Sequence, residues 1–556
     1  MKKQTILIFA ILVLIVVVFV VLRTVSIKNT KEPIDARRNI LAHGSSLHGA
    51  NGIMFDKEDN LHVACVLGRE IVVIEPETGE VLKRIGVNLG VECPDDLTFG
   101  PDGSLYWTSI ITGEVGRLSP DGVKTSQRVR PGVNPIAFSD DGRLFVGLCF
   151  YGDALFELDP DLIDQPRPIA EKLGFLNGFD FGPDGFLYGP IWTKGQVVRI
   201  DVDSGSLTPV ADGFGTPAAA KFDSLGRLHV VDYLRGEVLR VDLDTGSKQI
   251  IATIAPGLDN LALDSKNRLF VSCALDGFIV EVLADGTTRT VSEGGMILPG
   301  GVAVLPRPEG GESVFVADLW SLREFNGLTG EERSDEGVRA TDGTASPMTV
   351  SSDGDNLVLS SWLGGAVQVW NPKTRKVVEN YRDFVVPMNA IRFQGDLVVA
   401  ELGSELEAGR VVRVSKEERL TILSGLSVPA GLAADEDNLW VSDFAAGEVL
   451  QIIANGNPLL EPILFAEGLS FPEGLAVDID GNLLVVETGT KRLLRIIVSS
   501  SPPAISTIVE GLEIAARAIQ GMQPTWAFNG VAVGPSGAIY ITGDAGRVLY
   551  RFKPSN

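Results

Sequence analysis

The sequence has few of the residues that build the commonest catalytic sites. Its 556 residues include only four cysteines and four histidines. It contains no paired-Cys zinc pattern, no His-Glu-x-x-His, no Gly-rich phosphate loop and no Gly-x-Ser-x-Gly nucleophile elbow. These absences argue against covalent serine or cysteine catalysis. Three cysteines, Cys65, Cys149 and Cys273, fall near the ends of predicted strands, so we predict that they belong to the core. A Cys65–Cys93 bridge is left open.

Basic residues are also scarce, and they form no run. The formal net charge is −24, from 48 Lys and Arg against 72 Asp and Glu. Binding to nucleic acid requires clustered positive charge that replaces the condensed counterions. The composition therefore excludes a nucleic-acid partner and suits cations, neutral ligands or basic proteins.

Charged residues are missing from one long stretch near the N-terminus. Residues 6–22 are an unbroken apolar run, preceded by Lys2 and Lys3 and followed by Arg23. This length is near what one helix needs to cross a bilayer, and no small-residue cleavage site follows it. We predict an uncleaved signal-anchor over residues 1–31 that makes a single pass of the membrane through residues 6–22. The remainder is then extracytoplasmic, in the periplasm or at the cell surface.

Helical periodicity is nearly absent after this stretch, apart from one candidate near Glu513, and a repeat takes its place. Each unit has an apolar strand, a turn such as Pro-Asp-Gly, and a second β-rich strand. The units recur at roughly 40 to 45 residues, except for the last interval, which is typical of the four-stranded blade of a β-propeller. The apolar residue before each turn is Phe55, Phe99, Phe138, Phe181, Phe222, Leu263, Val304, Val350, Phe393, Ala434, Val477 and Val533.

The ends of the chain favour two rings of six blades over one ring of twelve. Residues 39–42 resemble the fourth strands of other repeats but precede the first repeat, and the last repeat lacks a fourth strand. We predict that residues 39–42 close the blade ending near Leu283, and that the strand from Arg289 closes the last blade. The predicted fold is all-β, with two tandem six-bladed β-propellers over residues 32–286 and 287–556.

The residue that opens the first strand of each blade is predicted to lie at one mouth of a central channel. Oxygen donors converging there suit a hard cation such as Ca²⁺ or Mg²⁺. In the first ring these positions are Asn51, Asp95, Asn134, Asn177, Ala218 and Asp259. In the second ring they are Gly300, Ser346, Asn389, Ala430, Glu473 and Asn529, for which we favour a structural role.

Two further residues are candidates for binding substrate. His48 lies three residues before Asn51, near the predicted mouth, and is a candidate base or substrate contact. Trp192 is one of several aromatic residues that are candidates for the wall of a pocket for an organic ligand. His62 and His229 occupy equivalent places in two repeats and are predicted to pack in the core.

The repeats resemble those of the senescence-marker-protein/gluconolactonase superfamily and the related strictosidine-synthase-like, paraoxonase-like and streptogramin-lyase-like propellers. Residues 177–188 and Glu473-Gly474 carry this resemblance. It implies a channel cation held by a Glu in the first blade, Asn residues in the third and fourth, and an Asp in the fifth. Asn134 and Asn177 match the two Asn ligands, whereas Asn51 replaces the Glu and Ala218 replaces the Asp.

Two functions follow as hypotheses. The first is a metal-dependent hydrolase of a lactone or related ester. Its cation, Ca²⁺ first and Mg²⁺ or Zn²⁺ as alternatives, would be held by Asn51, Asn134, Asn177 and Asp259, and Asp259 or Asp95 would be the catalytic base. The second is a non-catalytic surface module that binds a protein or glycan partner. A lyase is a third reading, with His48 as its one candidate catalytic residue.

Overall fold

A computed structural model describes residues 33–333, 338–339, 343–405, 407–415, 418–519 and 527–553. The predicted membrane segment, residues 6–22, lies outside these ranges. Within them, no helix is both long enough and apolar enough to cross a bilayer. Their helical segments are three short 3₁₀ turns, Ala36–Arg38, Val87–Leu89 and Trp192–Lys194.

The fold is all-β, and every predicted repeat forms one antiparallel sheet with the arrangement of a propeller blade. The strands of the first six sheets are: sheet 1, Ile53–Phe55, Leu61–Cys65, Glu70–Ile74, Val81–Ile85; sheet 2, Pro94–Phe99, Leu105–Ser109, Glu114–Leu118, Lys124–Arg128; sheet 3, Val133–Phe138, Leu144–Leu148, Ala154–Leu158, Arg167–Glu171; sheet 4, Asp180–Phe181, Leu187–Ile191, Gln196–Ile200, Leu207–Ala211; sheet 5, Pro217–Phe222, Leu228–Asp232, Glu237–Val241, Lys248–Thr253; sheet 6, Leu258–Leu263, Leu269–Cys273, Ile279–Val282, Thr288–Ser292.

The other six sheets take up the rest of the described chain and also its first strands. Their strands are: sheet 7, Val302–Pro306, Glu312–Asp318, Ser321–Asn326, Val338–Arg339; sheet 8, Thr349–Asp353, Asn356–Ser361, Ala366–Asn371, Lys376–Tyr381; sheet 9, Pro387–Phe393, Asp396–Glu401, Gly409–Val414, Arg419–Leu426; sheet 10, Pro429–Ala434, Leu439–Asp443, Glu448–Ala454, Asn457–Ala466; sheet 11, Pro472–Val477, Leu483–Glu487, Arg492–Ile497, Ala504–Glu510, Ile34–Asp35; sheet 12, Val531–Val533, Ile539–Gly543, Val548–Phe552, Ile40–His43.

The repeated turn explains why each unit folds locally into a hairpin. In sheet 2, Gly103 adopts a φ of +80°, and its N–H donates to the Gly100 carbonyl at 2.9 Å. The Asp102 carboxylate accepts from the Ser104 N–H at 2.9 Å. An Asp-Gly pair satisfies the turn's backbone and tolerates the left-handed conformation. The chain therefore returns directly onto the strand it has just left.

The inner strands contact one another in two closed cycles. The first strands of sheets 1 to 6 follow one another, and that of sheet 6 contacts that of sheet 1; sheets 7 to 12 repeat this pattern. We call these cycles the first ring and the second ring. A cavity of about 250 Å³ lies at the centre of the second ring, and all six of its sheets contribute to the lining, through Val302, Val350, Ile391, Leu432, Leu475 and Val531.

The strands that complete the last blade of each ring differ from our prediction. Thr288–Ser292 pairs with Ile279–Val282 and completes sheet 6, whereas Ile40–His43 pairs with Val548–Phe552 and completes sheet 12. The predicted closures are therefore wrong, and a boundary at residue 286 would cut through sheet 6. The signal was present in the sequence, because Asp285-Gly286 is a tight-turn pair and Gly286 has a φ of +85°.

Three smaller expectations are also settled in the described residues. All four cysteines are free and buried, so there is no Cys65–Cys93 disulfide. Residues 513–519 form no helix. In the second ring, Met348 rather than Ser346 occupies the ring position at the start of sheet 8. The Gly301 N–H donates to the Met348 carbonyl, and the Gly52 N–H donates to the carbonyl of Asp95 at the equivalent position of the first ring.

The two rings pack against each other through the segments at their strand starts and the loops after their second strands. One apolar cluster joins residues of both rings and the segment between them: Cys93, Ile297, Leu298, Leu319, Met348, Ile519 and Ala527. The Arg69 guanidinium of sheet 1 donates to the Ala518 carbonyl at 3.0 Å. The mouths of both rings therefore lie on the sides of the rings that meet.

Candidate functional site

Two acids predicted at the mouth of the first ring lie close enough to interact. Asp95 is buried, whereas Asp259 keeps part of its surface open. Burial, followed by the neighbouring Asp259 and Asp96, raises the pKa of Asp95 well above its usual value. Burial and the Asp96 carboxylate raise the pKa of Asp259 to about 7. Burial and like charge therefore favour the neutral form of both acids at this mouth.

The two predicted amide ligands also meet. The Asn134 Nδ2 donates to Asn177 Oδ1 at 3.1 Å, and both side chains are buried. Asn177 Oδ1 also accepts from the Gly178 N–H at 3.0 Å. Asn134 Oδ1 is buried and has no hydrogen-bond partner among the residues that the structure describes. A buried amide oxygen with no partner is costly, so it points to a missing donor or cation.

These residues suit a hard divalent cation. Within the described ranges, no group of three or more His, Cys, Asp and Glu side chains is arranged to hold a metal. Carboxylate and amide oxygens are the donors that Ca²⁺ prefers, so a cation at this mouth would use the Asp95 carboxylate and the Asn134 oxygen. A cation there would also relieve the unfavourable burial of the Asp95 and Asp259 carboxylates.

The other first-ring positions contribute less. Ala218 is buried and offers no oxygen donor from its side chain. Asn51 is partly exposed, and its main-chain carbonyl accepts from the Ser272 hydroxyl at 2.6 Å. Its backbone thereby anchors sheet 1 to sheet 6, while its role as a ligand remains a prediction.

His48 lies where the two rings meet. The Arg547 Nη1 of sheet 12 is 2.8 Å from its Nε2. Burial, followed by the Arg547 charge, lowers the pKa of His48 to about 3, so the imidazole is neutral at physiological pH. Its predicted role in binding substrate is not tested by this contact and stays a prediction.

Trp192 belongs to a continuous row of aromatic side chains along the first ring. Its ring centroid lies 5.6 Å from that of Phe150 and 5.1 Å from that of Tyr233. Phe150 in turn lies 5.7 Å from Phe175, which is two residues before Asn177. One end of the row, at Phe175, is therefore two residues from the amide pair along the chain.

The second ring holds a buried pair of acids, Glu473 and Asp544. The sequence pattern predicts a structural role for Glu473 and does not single out Asp544. The N–H and Nδ2 of Asn529 both donate to Glu473 Oε2 at 2.8 Å, and Asn529 Oδ1 accepts from the Asp544 N–H at 3.3 Å. Burial and Asp544 raise the pKa of Glu473 to about 8, and burial raises that of Asp544 to about 7. The available signal was the pair of polar residues at adjacent ring positions 473 and 529.

This second acid pair predicts a stability that falls as pH rises. The pKa of Glu473 is about 8 in the folded protein against 4.5 for its usual value. Between these values the folded state binds more protons than the unfolded state, so the free energy of unfolding decreases with pH. The slope is at most about 1.4 kcal/mol per pH unit for each such carboxyl.

Glu473→Gln is expected to remove the Glu473 share of this slope while keeping an oxygen for both Asn529 donors. Urea unfolding with a calcium chelator, at several values between about pH 5 and 8, measures it. Glu436→Gln, at an exposed turn, is the matched control and should leave the slope unchanged. An identical slope for wild type and Glu473→Gln would contradict the assignment.

No family model and no curated protein matches the sequence. Virginiamycin B lyase from Staphylococcus aureus is 13% identical, covering 50% of this chain and 94% of its own, with a TM-score of 0.38. Regucalcin, a calcium-binding protein from Agrobacterium tumefaciens, is 16% identical, with coverages of 42% and 84% and a TM-score of 0.35.

The extracellular domain of a proposed one-component system from B. thetaiotaomicron is 13% identical, with coverages of 94% and 84% and a TM-score of 0.31. The solved structures that resemble this chain thus include a streptogramin-type lyase and a regucalcin, the kinds of propeller that its sequence repeats resemble.

Proposed function

We propose that the protein is a membrane-anchored, extracytoplasmic hydrolase of lactones or related esters, built from two six-bladed propellers. The first propeller would comprise about residues 44–293, and the second about residues 294–553 together with 33–43, because Ile40–His43 belongs to sheet 12. The observation that carries the proposal is the convergence of the Asp95–Asp259 acids in the first ring, with the unpartnered Asn134 oxygen of the same mouth as support.

Asp259 is the base in this proposal. Its pKa of about 7 leaves a substantial fraction deprotonated at neutral pH, and its partly open surface can meet water. The Asp259 carboxylate accepts a proton from a water molecule, whose oxygen attacks the ester carbonyl carbon. The carbon–oxygen bond to the leaving group then breaks, and the leaving alkoxide takes that proton from Asp259, which restores the carboxylate.

Asp95 and Asn134 are the residues that would hold a divalent cation, with Asn177 positioning Asn134 through their hydrogen bond. When bound, such a cation supplies a positive charge that polarises the substrate carbonyl. Asp95 then serves to fix that charge beside Asp259, which also favours the deprotonated form of the base.

Metal analysis of the purified full-length chain tests this assignment. We expect about one Ca²⁺ per chain after equilibration with calcium and removal of the excess, and a small fraction of that for Asn134→Ala/Asn177→Ala. Asn389→Ala, at the equivalent kind of position in the second ring, is the control and should retain the ion. A wild-type chain that takes up no divalent cation would contradict the cation assignment.

A non-catalytic binding module is the second candidate, and the observation that favours it is Ala218. This residue removes a side-chain oxygen from the fifth sheet of the ring, which matters for a hydrolase and not for a binding surface. Binding of a protein or glycan that survives Asp259→Asn, without turnover of any lactone or ester by the wild type, would favour this reading.

A further inference from the structure

A residue of the second ring packs against the same buried cluster as two members of the aromatic row. Trp192, Tyr233 and Trp320 all pack against one buried cluster of sheets 5 and 6. Trp320 belongs to sheet 7, where it lies between the second and third strands. We define the aromatic wall as Phe150, Phe175, Trp192, Tyr233 and Trp320. It is therefore built by both rings.

The aromatic wall is connected to the mouth of the first ring at two points along the chain. The buried cluster that supports it contains Ala218 and Leu258, which precedes Asp259. On the other side, the Trp192 N–H donates to the Phe175 carbonyl at 3.0 Å, two residues before Asn177. The wall thus runs from the amide pair toward the sheet that carries Asp259.

Part of the wall is exposed and held at a conformational cost. Phe150 is 49% exposed, and its φ is +63°, while that of Phe175 is +65°. A bulky side chain in the left-handed region is strained and persists where the surrounding structure imposes it. An exposed aromatic ring that continues into partly buried ones is typical of a ligand-binding surface.

We propose that the second ring completes the binding site of the first ring by contributing Trp320 to the aromatic wall, which receives the flat apolar ring of an uncharged lactone or ester. This inference rests on the proposed function. The carboxylates of Asp95, Asp96 and Asp259 repel an anionic ligand. Phe150, the most exposed ring of the wall, carries no hydrogen-bonding group, so its face suits a hydrocarbon ring.

Two lactones that differ only in this ring provide the test: γ-phenyl-γ-butyrolactone and γ-methyl-γ-butyrolactone. Calorimetric binding is measured with full-length Asp259→Asn, so that turnover does not consume the ligand. We expect the phenyl compound to bind more tightly. Trp320→Ala in this background should weaken its binding about tenfold, which corresponds to loss of one aromatic contact and its buried area, with little change for the methyl compound.

Trp320→Phe keeps an aromatic ring and should retain most of the affinity, which separates loss of the ring from loss of the fold. Leu328→Ala, at a 73% exposed position of the second ring, is the control. Equal binding of the two lactones, no binding of either, or phenyl binding that is unchanged in Trp320→Ala would each overturn the proposal.

Turnover by the wild type distinguishes this inference from the proposed function. Ring-selective binding that depends on Trp320, without hydrolysis of either lactone by the wild type, would leave the wall in place and remove the hydrolase. Hydrolysis of both lactones with equal kcat/KM, and no effect of Trp320→Ala, would support the hydrolase and overturn the role of the aromatic wall.

Discussion

Asp259→Asn is expected to lower kcat/KM for a lactone or ester by about 10²- to 10⁴-fold, the usual contribution of a positioned general base. Asparagine keeps the size of the side chain and an oxygen, but it accepts no proton from water at neutral pH. In the wild type, kcat/KM should rise with pH until Asp259 is deprotonated and then level off. The variant should lose that dependence along with the rate.

The controls for Asp259→Asn separate lost chemistry from lost structure. Asp285→Asn changes an exposed acid at the last turn of the same sheet and should leave kcat/KM unchanged. Asp95→Asn should mainly lower the affinity for the cation, so added Ca²⁺ should restore part of the activity of this variant. If Asp259→Asn and Asp95→Asn both kept wild-type turnover, the base would have to be another residue.

The fold could be predicted from the sequence as far as the repeat reaches. Alternating apolar strands and Asp-Gly turns determine each hairpin locally, and each predicted repeat forms its sheet. The last blade of each ring is completed by a short strand that can pair with the edge of sheet 6 or of sheet 12. The compositions of Ile40–His43 and Thr288–Ser292 both suit an edge strand, so composition alone does not assign them. The local turn at Gly286 decided the pairing of the second strand and left sheet 12 for the first.

The candidate site could likewise be predicted only in part. The repeat register alone placed Asp95, Asn134, Asn177 and Asp259 at one mouth, and the structure brings them together in two pairs. Contacts between the rings have no repeat to reveal them. The position of His48 against Arg547 and that of Trp320 beside the first ring depend on how the rings pack, which no periodic pattern encodes.

Arg323→Met is expected to lower the free energy of unfolding by about 3–5 kcal/mol, the usual cost of removing one partner from a buried ion pair. The Arg323 side chain is 6% exposed and donates to Asp318 at 2.6 Å, Asp276 at 2.9 Å and Glu332 at 2.8 Å. Urea unfolding measures the change. Arg37→Met, whose pair with Asp35 is exposed, is the control, and it should change the value by less than about 1 kcal/mol.

The position of Arg323 makes this loss informative about how the rings are joined. Asp318 belongs to sheet 7 and accepts from the Leu298 N–H of the segment between the rings, whereas Asp276 follows the second strand of sheet 6. Without Arg323, these carboxylates stay buried and face each other across the contact between the rings. Arg323→Met/Asp276→Asn should recover part of the lost stability, because it removes one of two like charges beside the substituted side chain. A loss below about 1 kcal/mol in Arg323→Met alone would mean that apolar packing around Leu298, rather than this ion-pair network, holds the rings together.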